Sequence, residues 1–337
     1  MRVHAQSAGR RGRGLFSELA VAYLFFGGAG AGACVVLGVL ECANIGRYGA
    51  LPSGRASGVM RACSSRWARR LRVPHELLSR GWVLCLILLG AGSLCLLADA
   101  GRPERAAALW LAPRFSVVTV GAWALLASSV AAAFFAAASN GLGARLRPAP
   151  VLAAAIFAVA TGFVAAAYTG VLLGSLPSVL AYRTGVLPIL FLLSSLSCGA
   201  AVVFVAASLV DSRLPFGSAL RRLGCADRVI ILAEAALLAL FVGGQLADGA
   251  MRAGASALIA GDGAVLFWVV LVLGGLAAPF VLEWGYPMGD GRVKGLWIAF
   301  CILMGAAALR AGVVGLAAFD ISQTPELAFQ LAAAMPG

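Results

Sequence analysis

The sequence predicts an all-α integral membrane protein of eight transmembrane helices, and three observations carry that prediction. Apolar residues make up 61% of the 337 positions and charged residues 12%, where soluble domains average about 45–50% and about 25%. Mean hydropathy is +0.95. Apolar runs long enough to cross about 30 Å of hydrocarbon recur eight times, and basic residues gather in the short connections between them.

The first run, 18–41, opens at Glu18 and carries Tyr23 and the small-residue stretch Gly27-Gly28-Ala29-Gly30-Ala31-Gly32 before Glu41 ends it. It is too long for the apolar core of a signal peptide and ends without a small-residue cleavage site, so a retained helix is expected. The second and third runs cover 81–98 and 115–139, the fourth and fifth 150–173 and 186–210, and the last three 229–247, 263–283 and 295–318. The transmembrane domain therefore spans 17–318, between an N-terminal tail (1–16) and a C-terminal tail (319–337). Its longest connection, 42–80, is rich in Arg, Ser and Gly and reads as a loop.

Sixteen of the 26 Lys and Arg residues fall on the side of the 42–80 loop. By the positive-inside rule that side is cytoplasmic, and both termini lie on the outer face of the cell membrane. The net charge of +12 is thus topogenic. Nucleic-acid binding would require a basic face interleaved with stacking aromatics on a folded module, so nucleic acid is not an expected partner.

Cys34, Cys85, Cys95, Cys198 and Cys301 fall inside apolar runs, and no Cys-x-x-Cys spacing occurs. His4 and His75, the two histidines, both lie outside the runs. Haem in a helix bundle usually needs intramembrane His. Neither haem nor an iron–sulfur cluster is expected in this protein.

Polar groups in a membrane are costly, so their positions are informative. A set of them falls at the outer ends of the first five helices: Glu18, Tyr23, Asp99 and Arg102, Ser116 with Trp123 two turns on, Tyr168 and Thr169, then Ser194, Ser195 and Ser197. A polar pocket at one surface of an apolar bundle suits an amphipathic ligand such as a quinone, whose ring needs hydrogen-bond partners and proton carriers. Simpler roles compete: Tyr23 and Trp123 as interfacial anchors, Asp99 with Arg102 as a helix terminus, and the glycines as packing surface. Deeper lies Glu234, where an ionised acid costs about 2.5–3.5 kcal/mol. It is protonated, paired, or part of a proton route, and Gln245, Glu283 and Arg310 are weaker candidates for the same role.

Residues 22–32 (Ala-Tyr-Leu-Phe-Phe-Gly-Gly-Ala-Gly-Ala-Gly), Ala100-Gly-Arg-Pro103, Ser116 through Trp123, Tyr168-Thr169-Gly170 and Leu187-Pro188 through Gly199 together resemble the NrfD/polysulfide reductase membrane-subunit (PsrC-like) family. That resemblance implies two four-helix bundles and a site near the outer face for menaquinone or ubiquinone as exchangeable substrate. It implies as partners a four-cluster ferredoxin-like iron–sulfur subunit and a molybdopterin catalytic subunit. Glu18 and Tyr168 match the quinone-contacting positions, although members often carry Asn or His where Glu18 stands. A small-solute transporter or a purely structural anchor are the rival readings. A transporter would place its polar residues near the midplane, on broken helices repeated in two halves.

Overall fold

The structure, a computed structural model, describes residues 18–45, 71–99, 117–139, 147–175, 182, 184–210, 217–248, 251–261, 263–284 and 292–323. Among them the helices are α1 (Glu18–Ala43), α2 (His75–Asp99), α3 (Val117–Ala137), α4 (Pro148–Gly174), α5 (Val186–Ser208), α6 (Gly217–Ala247), the short α7 (Arg252–Ala260), α8 (Val265–Trp284) and α9 (Arg292–Gln323). All but α7 contain a segment long and apolar enough to span a membrane, which makes eight spans. Large apolar side chains such as Ile87, Leu94, Val229, Leu240 and Leu273 stand exposed on the outside of the assembly. Hydrocarbon would cover them, whereas water would not tolerate so continuous a surface.

Helices α1 to α4 pack in a ring in sequence order, with α4 returning to α1. A second ring is formed by α5, α6, α8 and α9. The rings are joined chiefly where α1 lies against α5, with α4, α2 and α9 adding to the seam. Two four-helix bundles are therefore present, as the family resemblance implies.

Two helices begin earlier than their apolar runs. Helix α2 starts at His75 because Leu77 and Leu78, read from sequence as loop, are fully buried. Helix α6 starts at Gly217 rather than near 229: Leu220, Gly224, Asp227 and Ile231 are buried at three- and four-residue spacing, while the intervening arginines take the other face. Glu41, at which the first apolar run ends, is fully buried and accepts a hydrogen bond from Trp82 Nε1 at 3.3 Å. The Trp82 ring stacks on Phe135, centroids 4.6 Å apart.

The first part of α8, Val265–Ala277, is a π-helix that reverts to α-helix at Ala278–Trp284. Its widened hydrogen bonding ends at Ala278, whose N–H reaches Leu273 O, one residue before Pro279. Proline has no N–H to continue an α-helical ladder, and a wider turn is one way to pass it.

Glycine sets the helix spacing. A Cβ on Gly32 would coincide with the Ser195 carbonyl, and one on Gly199 would strike the Gly32 carbonyl, so α1 and α5 meet backbone to backbone. Gly275 and Gly305 bring α8 and α9 together in the same way. Gly32→Val should destabilise the fold by more than about 3 kcal/mol, because the facing atoms are backbone and cannot rotate aside. Gly90→Val, at a position with nothing among the described residues within 4 Å, should leave it unchanged. Thermal unfolding of the two variants in detergent checks the contrast.

Candidate functional site

Arg310 on α9 is fully buried where the two bundles meet. Its Nε donates to Leu24 O on α1 at 2.9 Å, Nη1 to Ala306 O at 2.9 Å and Ser194 Oγ at 3.4 Å, and Nη2 to Ser195 Oγ at 3.0 Å. The Phe191 ring lies 5.4 Å from its Cζ, within cation–π range. Gly28 leaves the space the guanidinium needs, since a Cβ there would sit 2.5 Å from Nη2. A guanidinium carries five donors in a fixed fork, and here the fork ties α1, α5 and α9 together.

From Arg310 a line of polar side chains runs through the second bundle. Ser194, which accepts from Arg310, also hydrogen-bonds the buried Glu234 carboxyl of α6. Asp227 lies seven residues before Glu234, two turns along the same face and about 10 Å away. It is fully buried and accepts from Ser197 Oγ at 3.2 Å. The Glu283 carboxyl of α8 faces Asp227. Beyond Glu283, a cavity of about 790 Å³ opens at the end of the bundles from which the 42–80 connection departs. Two hydrogen-bonded pairs, Asp227 with Ser197 and Glu234 with Ser194, therefore lie between Glu283 at that cavity and Arg310 at the α1 backbone.

At Leu24 the line meets the first bundle. Tyr23, the preceding residue, is buried and its phenol faces that of Tyr168 on α4, also buried. The Tyr168 ring occupies the space that a Cβ on Gly121 of α3 would take. Tyr23 and Tyr168 are thus brought together, with Gly121 as the reason the ring fits.

Other expected site residues fall elsewhere. Thr169 is buried but spends its hydroxyl on Ala166 O of its own helix at 2.8 Å. Trp123 is 53% exposed; two positions from Gly121, it points to the far side of α3. Asp99 is the exposed last residue of α2. Glu18 is the first residue of α1, and its side chain lies outside the described residues, as do Arg102 and Ser116 entirely. Gln245 is buried near the other end of α6, about 16 Å along the helix from Glu234. Asp227 was not among the expected residues, because a charge beside Arg228 reads as a connection until α6 is seen to extend back to Gly217.

Such a fold defines a class: a polytopic membrane protein of two helix bundles with ionisable groups buried in the second and at the seam. The chain belongs to the family described as Polysulphide reductase, NrfD, whose profile matches residues 7–322. It is similar to the C chain of polysulfide reductase from Wolinella succinogenes, with 31% identity over 257 residues that cover 69% of this protein and 80% of that one. It is also similar to protein NrfD of Escherichia coli, 35% identical over 119 residues, or 35% of this sequence and 37% of that protein.

Arg310→Met should destabilise the protein by about 3–5 kcal/mol, because it strands buried acceptors and removes the cation beside Glu234. Ser195→Ala, which deletes one neutral partner, should cost about 1–3 kcal/mol. Unfolding midpoints of the purified variants give the ranking.

Proposed function

We propose that this protein is the quinone-binding membrane anchor of a respiratory oxidoreductase complex. It passes electrons between the membrane quinone pool and a partner iron–sulfur subunit that serves a molybdopterin enzyme. The observation that carries the reading is the facing pair of buried phenols, Tyr23 and Tyr168, at the end of the first bundle where α1 begins. Membership of the family and the likeness to a polysulfide reductase component support it.

Reduction of a quinone to a quinol takes two electrons and two protons. In this proposal the partner's nearest cluster supplies or accepts the electrons, and this protein orients the ring and handles the protons. A phenol both donates and accepts a hydrogen bond, so Tyr168 serves a quinone carbonyl or a quinol hydroxyl equally well. Glu18, at the start of α1, is the proton-exchanging group toward the outer aqueous phase. Apolar helix surface around the phenols accommodates the isoprenoid tail. The orientation with both termini outside belongs to the same proposal and rests on the arginine distribution.

Protons have a second route in this reading. Carboxyls and hydroxyls follow one another along Glu283, Asp227, Ser197, Glu234 and Ser194; a hydroxyl both accepts and donates, and a carboxyl does so in its protonated form. Arg310 closes the line as a fixed cation, and Gln245 is a polar group farther along α6.

In native membranes, Glu18→Gln with Tyr168→Phe should lower quinone affinity roughly 3- to 10-fold per lost hydrogen bond, read as a raised KM in quinol-linked turnover. Full activity with unchanged KM would remove the site assignment. In proteoliposomes, Glu234→Gln should retain quinol turnover and lose proton movement across the bilayer. Equal proton movement in variant and parent would exclude the route through Glu234.

A further inference from the structure

We infer that the cavity at the arginine-rich end of the bundles is a binding site for an anionic phospholipid. It lies on the seam, with α1 and α5 on one side and α6 and α8 on the other, and its volume is about 790 Å³. Ligand pockets run from about 300 to 1,000 Å³, so the space admits a headgroup together with the upper part of an acyl tail.

The lining is divided as an amphiphile requires. Val35, Val39, Leu196 and Ile230 give an apolar wall, and Val39 stands partly exposed on the outer surface of α1, so the wall is continuous with the hydrocarbon. Against it stand the guanidinium groups of Arg221, Arg222 and Arg228, opposed among the described lining residues by one carboxyl, that of Glu283. Arg228 is held in place: its Nη2 donates to Cys225 Sγ at 2.9 Å and its Cζ lies 5.7 Å from the centre of the Trp284 ring. Trp284 itself is 75% exposed, as suits an aromatic side chain at headgroup level.

Charge alone does not define the ligand; charge set against an apolar wall does. Among the described residues the Nε atoms of Arg222 and Arg228 are buried without a hydrogen-bond partner, as are both carboxyl oxygens of Glu283, so the charges at this cavity are not paired off by hydrogen bonds at those atoms. Guanidinium groups gathered on one cavity wall match the oxygens of a phosphate diester, and Arg221, Arg222 and Arg228 outnumber the single lining carboxyl, that of Glu283. A free phosphate would satisfy the donors but leave the apolar wall bare. A phospholipid satisfies both, and basic pockets between transmembrane helices are known lipid headgroup sites.

The test uses the full-length protein purified in detergent, then exposed to phosphatidylcholine, to cardiolipin, or to inorganic phosphate alone. Native mass spectrometry reads the retained adducts and thermal unfolding reads stabilisation. Cardiolipin should be retained in preference to phosphatidylcholine, and Arg222→Gln with Arg228→Gln should weaken retention roughly tenfold. Arg147→Gln, an exposed arginine preceding α4 at the same membrane face, should behave as the parent does. If the glutamine pair does not assemble, Val39→Trp, which fills the cavity without altering charge, should lower retention as well. Equal retention of cardiolipin and phosphatidylcholine overturns the inference. So does unchanged retention in either cavity variant, or stabilisation by inorganic phosphate equal to that by cardiolipin.

Discussion

The close approach of α1 to α5 at Gly32 and Gly199 is the constraint on which the rest of the molecule depends. In lipid, helices gain nothing from excluding apolar surface from water, so their association rests on contact area and interhelical hydrogen bonds. Removing two side chains at the crossing lets the backbones touch, and that contact fixes the distance between the bundles. Arg310 can then reach Leu24 O from α9, and Ser194 and Ser195 face it at hydrogen-bonding range. A wider seam would leave the same arginine reaching into empty space.

The glycine-rich stretch of α1 serves several neighbours, because α1 is surrounded. Gly27 meets Gly92 of α2, Gly28 clears space for Arg310, Gly30 fits against Leu89 of α2, and Gly32 meets α5. Successive glycines turn around the helix by about 100° each, so a run of them supplies close contacts in several directions at once. The first bundle is thereby built around α1, and the second is attached to it through the helix that already touches most partners.

Much of this was legible in the sequence. Eight apolar runs announced eight spans, and composition alone excluded a soluble fold. The glycines of α1 were recognisable as packing surface. Helix starts were less legible where charge interrupts an amphipathic pattern, as at Arg221, Arg222 and Arg228 of α6. That same interruption concealed Asp227, although its seven-residue spacing from Glu234 is a helical-face signal once the helix is extended. For the candidate site, Tyr23 and Tyr168 could be paired by their expected depth, but not their mutual approach, which needs Gly121. Sequence position groups Ser194, Ser195 and Ser197 with the outer polar set; the structure turns them toward Arg310, Glu234 and Asp227, since a serine's depth says nothing about which way its helix is rotated.

Arg310 also bears on how the protein is made. Its acceptor Leu24 O lies 286 residues earlier in the sequence, and its serine partners stand on the fifth helix rather than the ninth. During synthesis α9 enters the bilayer with an arginine whose described partner within that helix is the Ala306 carbonyl. An intramembrane arginine costs about 2.5–3.5 kcal/mol on insertion scales, which the apolar residues around it must outweigh until docking. The helices that receive it, α1 and α5, are translated earlier, so a polar socket is already present when α9 docks. Insertion of α9 thus leads to a docking event that couples it to α1, 286 residues earlier.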